Sequence, residues 1–342
     1  MNRRTVFVLG AGASCPYGYP SGARLRELIC YEDGFIKHYR EYAKADSHKQ
    51  AVIRDVEQFR DTFAKSHIKS IDLFMSKNPQ LAPIGKRIIA FEILRSEKDS
   101  RFAEDAQWRH EQLQELRSHD RADVRARYRG VADCIGGDWC SFLYNRLIEG
   151  QTETDPLPDL TGDQLAFITF NYDRSLEQFF YESLRSSFTE VPEDRIVESL
   201  RNLKIIHIYG QLMPLEWQNP QTGVDYRPQQ IDESLLQNAA ANIRTIYEQE
   251  AGPDVEEARR VLSEASQILI LGFGYARENM AILDLPTTIS SDCQVYGTAY
   301  GLIGEERQRA HASLHNPRKI PQERTVMESG DVDCLMLLRK RF

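Results

Sequence analysis

Six short apolar runs, spread along a chain of 342 residues, constrain the fold more than any other feature of the sequence. Most are apolar on both faces, which is typical of strands in a parallel sheet that helices cover on each side. Helical patterns follow the later runs, and this alternation predicts a doubly wound, parallel α/β sheet. The predicted strands are Thr5–Leu9, Leu165–Phe170, Leu203–Ile208, Gln267–Leu271, Gln294–Thr298 and Cys334–Leu338, and the predicted helices are Asp173–Arg185, Asp232–Gln249, Asp254–Ala265 and Glu305–Leu314.

Residues from about 22 to 150 interrupt this alternation, because they are charge-rich and helical in period, with little strand signal. We predict that they form a long helical insertion after the first strand. Core strands would then lie at 5–10 and within 160–342, and residues 1–342 would form a single Rossmann-like domain. Within the insertion, residues 104–129 carry mostly charged side chains with a thin apolar stripe, which is typical of a solvated helical hairpin.

Composition excludes several classes of protein. The chain has 43 Lys and Arg against 51 Asp and Glu, and this net charge of −8 disfavours non-specific nucleic-acid binding. Its 15 Phe, 15 Tyr and 3 Trp are too many aromatic residues for a disordered chain. No stretch approaches the ~20 apolar residues of a membrane-spanning helix. The apolar run behind the basic residues at the N-terminus is too short for a secretory signal, so we expect a cytoplasmic protein.

The cysteines are scattered, and no two of them form a C-x-x-C pair. That spacing argues against a structural zinc site, and we expect no metal. Reduced, mostly buried thiols are the simpler interpretation. The six are Cys15, Cys30, Cys134, Cys140, Cys293 and Cys334.

Two glycine pairs follow predicted strands. The first strand runs into Gly10-Ala11-Gly12-Ala13-Ser14, and a later strand runs into Gly272-Phe273-Gly274. Glycine permits a sharp turn and lets backbone N–H groups approach a pyrophosphate closely. The first pair is not the dinucleotide fingerprint G-x-G-x-x-G, because position 15 is Cys. A tight turn without a ligand is therefore about as well supported as a nucleotide site.

Polar residues end two other predicted strands. Asn171 and Asp173 follow the second strand, although Asp173 also suits a helix N-cap. His207 and Tyr209 share one face of the third strand, just before Gly210, although a histidine in an apolar strand is often a core residue. Carboxyl ends of parallel strands meet at one edge of a sheet, where open α/β folds bind ligands. The four motifs are therefore expected to converge on one site.

This combination resembles the sirtuin-like NAD-binding domain, specifically a bacterial branch of NAD⁺ hydrolases found in anti-phage defence. The motifs lie in the order that the family shows, and they span most of the chain. The matching pieces are GAGAS (10–14), YPSG (19–22), FNYD (170–173), HIYG (207–210) and GFGY (272–275), and SIDLF (70–74) looks like a short acidic motif of that branch.

The resemblance implies a glycohydrolase that cleaves NAD⁺ to nicotinamide and ADP-ribose and depletes NAD⁺ during defence. It assigns catalytic roles to Asn171 at the nicotinamide ribose, to Asp173 at the nicotinamide amide and to His207 as a general base. Many relatives place this histidine directly before the glycine, where this chain has Tyr209. The implied nucleotide-binding residues are Gly10, Ala11, Gly12, Ala13, Ser14, Tyr209, Gly210, Gly272, Phe273, Gly274 and Asn279.

The resemblance also implies a homo-oligomer and, in some relatives, an ATPase or translocase partner. Lysine deacylation is disfavoured, because the zinc-binding C-x-x-C pairs of deacylating sirtuins are missing. We expect neither membrane contact nor direct sequence-specific nucleic-acid binding. The shifted histidine leaves one alternative open, a catalytically silent regulatory subunit that binds NAD⁺ or ADP-ribose. A nuclease and an oxidoreductase have less support.

Overall fold

A computed structural model describes residues 4–42, 47–98, 100, 102, 138–149, 156–249, 252–314 and 322–342. Within these ranges, six parallel strands form one sheet in the order β3-β2-β1-β4-β5-β6. This order confirms the Rossmann-like, doubly wound α/β fold. The strands are β1 (Thr5–Leu9), β2 (Leu165–Thr169), β3 (Lys204–His207), β4 (Gln267–Leu271), β5 (Gln294–Gly297) and β6 (Thr325–Met327).

The strand order reverses its direction between β1 and β4. Phe7 in the middle of β1 pairs with Phe167 on β2 and with Leu269 on β4, and all three are fully buried. Apolar side chains on both faces explain why these central strands lie inside the sheet. In open α/β sheets, the point of reversal leaves a crevice outside the carboxyl ends of the strands, and ligands bind there.

Helices cover the sheet, and the described residues between β1 and β2 contain helices but no strand. The predicted helix over Asp232–Gln249 is divided into two. In chain order the helices are α1 (Ala11–Ser14), α2 (Gly22–Tyr31), α3 (Gly34–Tyr42), α4 (Ser47–Ser66), α5 (Ile71–Lys77), α6 (Ala82–Lys98), α7 (Trp139–Ile148), α8 (Ser175–Ser187), α9 (Glu193–Arg201), α10 (Glu233–Asn242), α11 (Ile246–Gln249), α12 (Pro253–Ser263), α13 (Arg277–Leu283), α14 (Leu285–Thr288), α15 (Gly304–Leu314) and α16 (Cys334–Arg341).

The helices between β1 and β2 share one hydrophobic core with the sheet. Phe59 and Phe63 of α4 pack on Phe74 of α5, with ring centroids 5.3 and 4.7 Å from that of Phe74. Contacts with α4, α6 and α11 hold α5 in place beside the strand ends. The predicted charged hairpin at 104–129 lies outside the described residues, and an insertion over 22–150 stays a prediction.

The predicted strand at Cys334–Leu338 is wrong, because these residues begin helix α16. Asp333 caps the helix, and its side chain accepts a hydrogen bond from the N–H of Met336 at 2.7 Å. An apolar run of five residues does not distinguish a strand from one side of a buried helix. The sixth strand is instead the short β6, which pairs with β5.

None of the described helices is both long enough and apolar enough to cross a lipid bilayer.

Candidate functional site

A cleft of about 640 Å³ opens beyond the carboxyl ends of β1, β2 and β4, at the point where the strand order reverses. Its volume lies within the range of small-molecule sites. Most of the residues predicted from the sequence line it, namely Gly10, Ala11, Gly12, Ser14, Asn171, Asp173, Tyr209, Gly272, Phe273, Gly274 and Asn279. Three do not line it: Ala13 is buried, and His207 and Gly210 border a separate surface depression.

The glycine turns after β1 and β4 pack directly against each other. The N–H of Gly12 donates to the carbonyl oxygen of Gly272 at 2.9 Å. A Cβ added at Gly10 would lie 2.6 Å from that same oxygen, and one added at Gly272, whose φ is +57°, would overlap the backbone N of Ala13. The close crossing of two backbones therefore requires glycine here, before any ligand is considered.

These internal contacts leave fewer backbone N–H groups for a pyrophosphate than the sequence predicts. Besides Gly12, Gly10 donates its N–H to Leu271 at 3.0 Å, and Ala13 donates its N–H to Gly10 at 2.9 Å. Three of the N–H groups that the sequence offered to a phosphate are therefore already used. Gly274 differs, because a Cβ added there would meet open space. It is the glycine in these two turns whose surroundings leave room for a ligand.

Asn171 joins the turn after β2 to the turn after β1. Its side-chain nitrogen donates to the carbonyl oxygen of Gly10 at 3.0 Å and to the hydroxyl of Ser14 at 2.9 Å. A carbonyl oxygen can only accept, so these partners fix which end of the amide is nitrogen. The amide oxygen is left as the group that can accept a hydrogen bond from a ligand in the cleft.

Asp173 is buried beside Asn171 and stabilises the start of α8. Its Oδ1 accepts hydrogen bonds from the hydroxyl of Ser175 and from the N–H of Ser175, the latter at 3.1 Å. Burial raises the pKa of the Asp173 carboxyl, and hydrogen bonds from Ser175 and Ser14 offset part of this rise. The carboxyl thus combines a structural role at the turn with a position on the cleft wall.

His207 lies behind Asn171, away from the cleft. One ring nitrogen, Nδ1, is 3.0 Å from the carbonyl oxygen of Asn171, and the other, Nε2, is 2.7 Å from Oε1 of Glu177. Both partners are acceptors, so the ring donates from both nitrogens and is an imidazolium. Burial lowers the pKa of His207, but Glu177 and the Asn171 carbonyl outweigh burial, and the pKa is raised.

This geometry gives His207 no free nitrogen for the general-base role that the sequence suggested. The side chain is 9% exposed, and its ring holds the backbone of Asn171 in place. Tyr209 is the residue at the end of β3 that faces the cleft, and its hydroxyl donates to Oδ1 of Asn279 at 2.6 Å. Burial raises the pKa of Tyr209, so the phenol is neutral.

Asp72 and Tyr172 lie together on the cleft wall. They belong to the motifs SIDLF and FNYD, but neither residue is among the site residues predicted from the sequence. The Tyr172 hydroxyl donates to Oδ1 of Asp72. Asp72 stands in the first turn of α5, which begins after Ser70, whose hydroxyl accepts a hydrogen bond from the N–H of Leu73 at 3.3 Å. The capping serine before an acidic residue was visible in the sequence, whereas the contact with Tyr172 depends on the packing of α5.

Residues after β5 and β6 complete the cleft. Thr298 accepts a hydrogen bond from the N–H of Gly272 at 2.9 Å, and Tyr300, Asp333 and Cys334 line the remaining wall. Asp333 is absent from the predicted site because the sequence pattern predicts a strand directly after it, whereas the structure has helix α16 there. An aspartate directly before an apolar run is a signal for a helix start that would have found it.

The cleft wall is apolar with scattered acidic groups. Its lining residues, taken from the described ranges, include three carboxyl groups, on Asp72, Asp173 and Asp333, and no Lys, Arg or His. Across the same ranges, no group of three or more His, Cys, Asp or Glu side chains is arranged to hold a metal ion. No protein-family model matches the chain, and no curated protein matches it. The chemistry of the cleft is therefore inferred from its own residues.

Proposed function

We propose that the protein is an NAD⁺ glycohydrolase that breaks the bond between nicotinamide and ribose and releases nicotinamide and ADP-ribose. One observation carries the proposal: Asn171 and Asp173 meet two glycine turns in a single cleft at the reversal point of a Rossmann-like sheet. The sequence motifs that resemble sirtuin-like NAD⁺ hydrolases supply most of the residues on that wall.

The reaction suits a site with few catalytic groups. Nicotinamide in NAD⁺ is already a cationic leaving group, so no general acid has to protonate it. The barrier lies in forming an oxocarbenium-like ribose, as in other glycoside cleavages. An enzyme then has to position the ring, stabilise the positive charge that develops and admit water. The wall, as far as the described residues form it, has carboxyl groups and no basic side chain, which favours such a charge.

The roles follow from the free groups on the wall. The amide oxygen of Asn171 would accept a hydrogen bond from a ribose hydroxyl or from the attacking water. Asp173 would accept a hydrogen bond from the carboxamide of nicotinamide. Gly274, with open space around it, would allow the nucleotide to approach the backbone. Asn279 and Tyr209, already joined by a hydrogen bond, would lie beside it as a fixed polar pair.

The test is turnover by the purified full-length chain. It is incubated with NAD⁺, and nicotinamide and ADP-ribose are separated and quantified over time. We expect release by the wild type and loss of at least about 100-fold with Asn171→Ala, because the amide holds the turn after β1 and would bind the ligand. Asn202→Ala, an exposed change at the end of α9, is the matched control and should retain full activity.

A second function is favoured by His207. Its two ring nitrogens are engaged by Asn171 and Glu177, which suits a protein that binds NAD⁺ or ADP-ribose without turnover. Such a protein would act as a regulatory subunit and relay its ligand state to a partner. Tight binding in calorimetry, without nicotinamide release by the wild type, would favour this alternative over hydrolysis.

We also propose a biological role for this activity. NAD⁺ depletion in the cytoplasm during anti-phage defence would suit a homo-oligomer that stays inactive until triggered, alone or with an ATPase or translocase partner. Light scattering of the pure chain measures the assembly. Turnover with and without the product of a neighbouring gene measures the activation.

A further inference from the structure

Asp72 lines the same cleft as Asn171 and Asp173, but it comes from a different part of the chain. It stands on α5, between β1 and β2, and its side chain is only partly buried. Tyr172, on the turn after β2, donates its hydroxyl to Oδ1 of Asp72. The contact joins residues that are 100 positions apart and fixes the direction of a carboxyl group on the cleft wall.

The polar groups nearest to Asp72 in the proposed mechanism are more fully engaged. Asp173 accepts the hydrogen bonds of the α8 turn, and Asn171 is a neutral amide whose nitrogen is used twice. His207 has no free nitrogen, and Tyr209 is a neutral phenol that donates to Asn279. Asp72 accepts a single side-chain hydrogen bond, although a carboxylate has about four acceptor positions. Asp333 also keeps acceptor capacity, because its side chain accepts one N–H at the start of α16. Asp72 is distinguished by its contact with Tyr172, which stands between Asn171 and Asp173 on the turn after β2.

Resting on the proposed hydrolysis of NAD⁺, we propose that Asp72 is the general base that activates the attacking water and that Tyr172 positions it. The water oxygen forms a bond to C1′ of the nicotinamide ribose as the bond from C1′ to the ring nitrogen breaks. The electrons of the broken bond leave with neutral nicotinamide. The water proton passes to the carboxylate of Asp72 and from there to solvent, which balances the reaction.

The surroundings of Asp72 raise the pKa of its carboxyl above the ordinary value for Asp, which favours proton uptake from water. Burial raises the pKa of Asp72, and the hydroxyl of Tyr172 and the backbone N–H of Asp72 lower it in part. Tyr209 and Asp173 share the cleft with it. On the helices packed against α5, Lys86 of α6 pairs with Glu248 of α11, and Lys65 pairs with Asp61 within α4.

The first experiment compares Asp72→Asn with the wild type and with Asp61→Asn, an exposed matched control on α4. The kcat and KM for NAD⁺ are measured between pH 5 and 9, with the Kd from calorimetry and the folded state from circular dichroism. We expect kcat to fall by about 100- to 10,000-fold with the Kd nearly unchanged, because proton transfer is lost while binding remains. The loss of rate at acid pH should also disappear. Asp72→Glu should restore part of kcat.

A second variant separates a base from a structural carboxyl. Tyr172→Phe removes the hydroxyl that lowers the pKa of Asp72, so the acid limb of the kcat profile should move to higher pH. A purely structural contact would change the thermal midpoint without moving that limb. An unmoved limb in Tyr172→Phe would overturn the proposal, as would Asp72→Asn with kcat within threefold of the wild type or with loss of binding alone.

The two proposals can fail separately. Nicotinamide release by the wild type, its loss in Asn171→Ala and full activity in Asp72→Asn would overturn the role of Asp72 alone. A folded wild type that binds NAD⁺ and releases no nicotinamide would overturn the hydrolase and this inference together.

Discussion

At the scale of single residues, His207 is a buried cation that lies between the Asn171 carbonyl and the Glu177 carboxylate. The second carboxylate oxygen of Glu177, Oε2, is buried without a hydrogen-bond partner. We predict that His207→Leu lowers the free energy of unfolding by about 3–5 kcal/mol, because it leaves Glu177 as a buried, unpaired charge. Urea unfolding measures the loss, and His67→Asn, at an exposed histidine, is the control.

The same pair makes stability depend on pH in a defined direction. The pKa of His207 is raised in the folded protein, so the folded state binds the proton more tightly than the unfolded chain. The stabilisation is fully present below the unfolded value of about 6.5 and is lost as the pH rises through the folded pKa. A difference in unfolding free energy between wild type and His207→Leu that stays constant from pH 5 to 9 would contradict a charged ring.

Some residues of the candidate site could be predicted from the sequence, and others could not. Asn171 and Asp173 were found because polar residues directly after a buried strand must lie at its carboxyl end. His207 was misplaced because period two puts it on the face of Tyr209, while the strand itself ends at His207 and the chain then turns. The pairing of Asp72 with Tyr172 could not be predicted, since it depends on how α5 packs.

Among the elements, the turns after β1 and β4 separate two kinds of glycine. We predict that Gly272→Ala lowers the free energy of unfolding by more than about 3 kcal/mol, because its φ is +57° and its Cβ would overlap Ala13. Gly274→Ala should change that free energy by less than about 1 kcal/mol, because its Cβ meets open space. Thermal and urea unfolding of both variants measure the contrast.

Gly274→Ala also tests where the nucleotide binds in the cleft. If the nucleotide approaches the backbone at Gly274, the added methyl group in Gly274→Ala should weaken NAD⁺ binding at least about tenfold while the fold is kept. Calorimetry on the folded variant gives the Kd. An unchanged Kd would place the nucleotide away from this turn.

Strands could be predicted from the sequence where the local pattern alone determines them. The central strands β1, β2 and β4 are apolar on both faces and were placed to within a residue. The run at Cys334–Leu338 failed because the same five apolar residues also fit the buried side of α16, which packs against α7. Short buried segments carry no period that distinguishes the two structures, and the cap at Asp333 is the better signal.

For the whole molecule, one hydrophobic core joins the sheet to helices that stand far from the first strand in sequence. The buried ion pair of Glu97 on α6 with Arg174 after β2 makes this connection next to the cleft, with Nη2 and Oε2 2.7 Å apart. Arg174 also donates to the carbonyl oxygens of Val224 and Asp225 at 2.9 and 3.1 Å. The wall that holds Asp173 is thus fixed from three directions, which favours a preformed site.

The charge of the cleft predicts which dinucleotide it accepts. The chain has a net charge of −8, and the described cleft wall carries Asp72, Asp173 and Asp333 without a basic side chain. NADP⁺ differs from NAD⁺ by a phosphate monoester that adds a charge of about −1.5 to −2 at neutral pH. We predict that kcat/KM for NADP⁺ is at least about tenfold below that for NAD⁺, and that added salt narrows the difference by screening the carboxylates.

Asp333→Asn tests this charge effect without disturbing the helix that it caps. Asn caps helices about as well as Asp, so α16 should keep its start and lose only the charge. The NAD⁺ to NADP⁺ preference should fall by several-fold in this variant. Asp232→Asn removes the charge of an equivalent cap at α10, which does not line the cleft, and should leave the preference unchanged. Equal kcat/KM for both dinucleotides at low salt would show that acidic groups on the wall do not select the substrate.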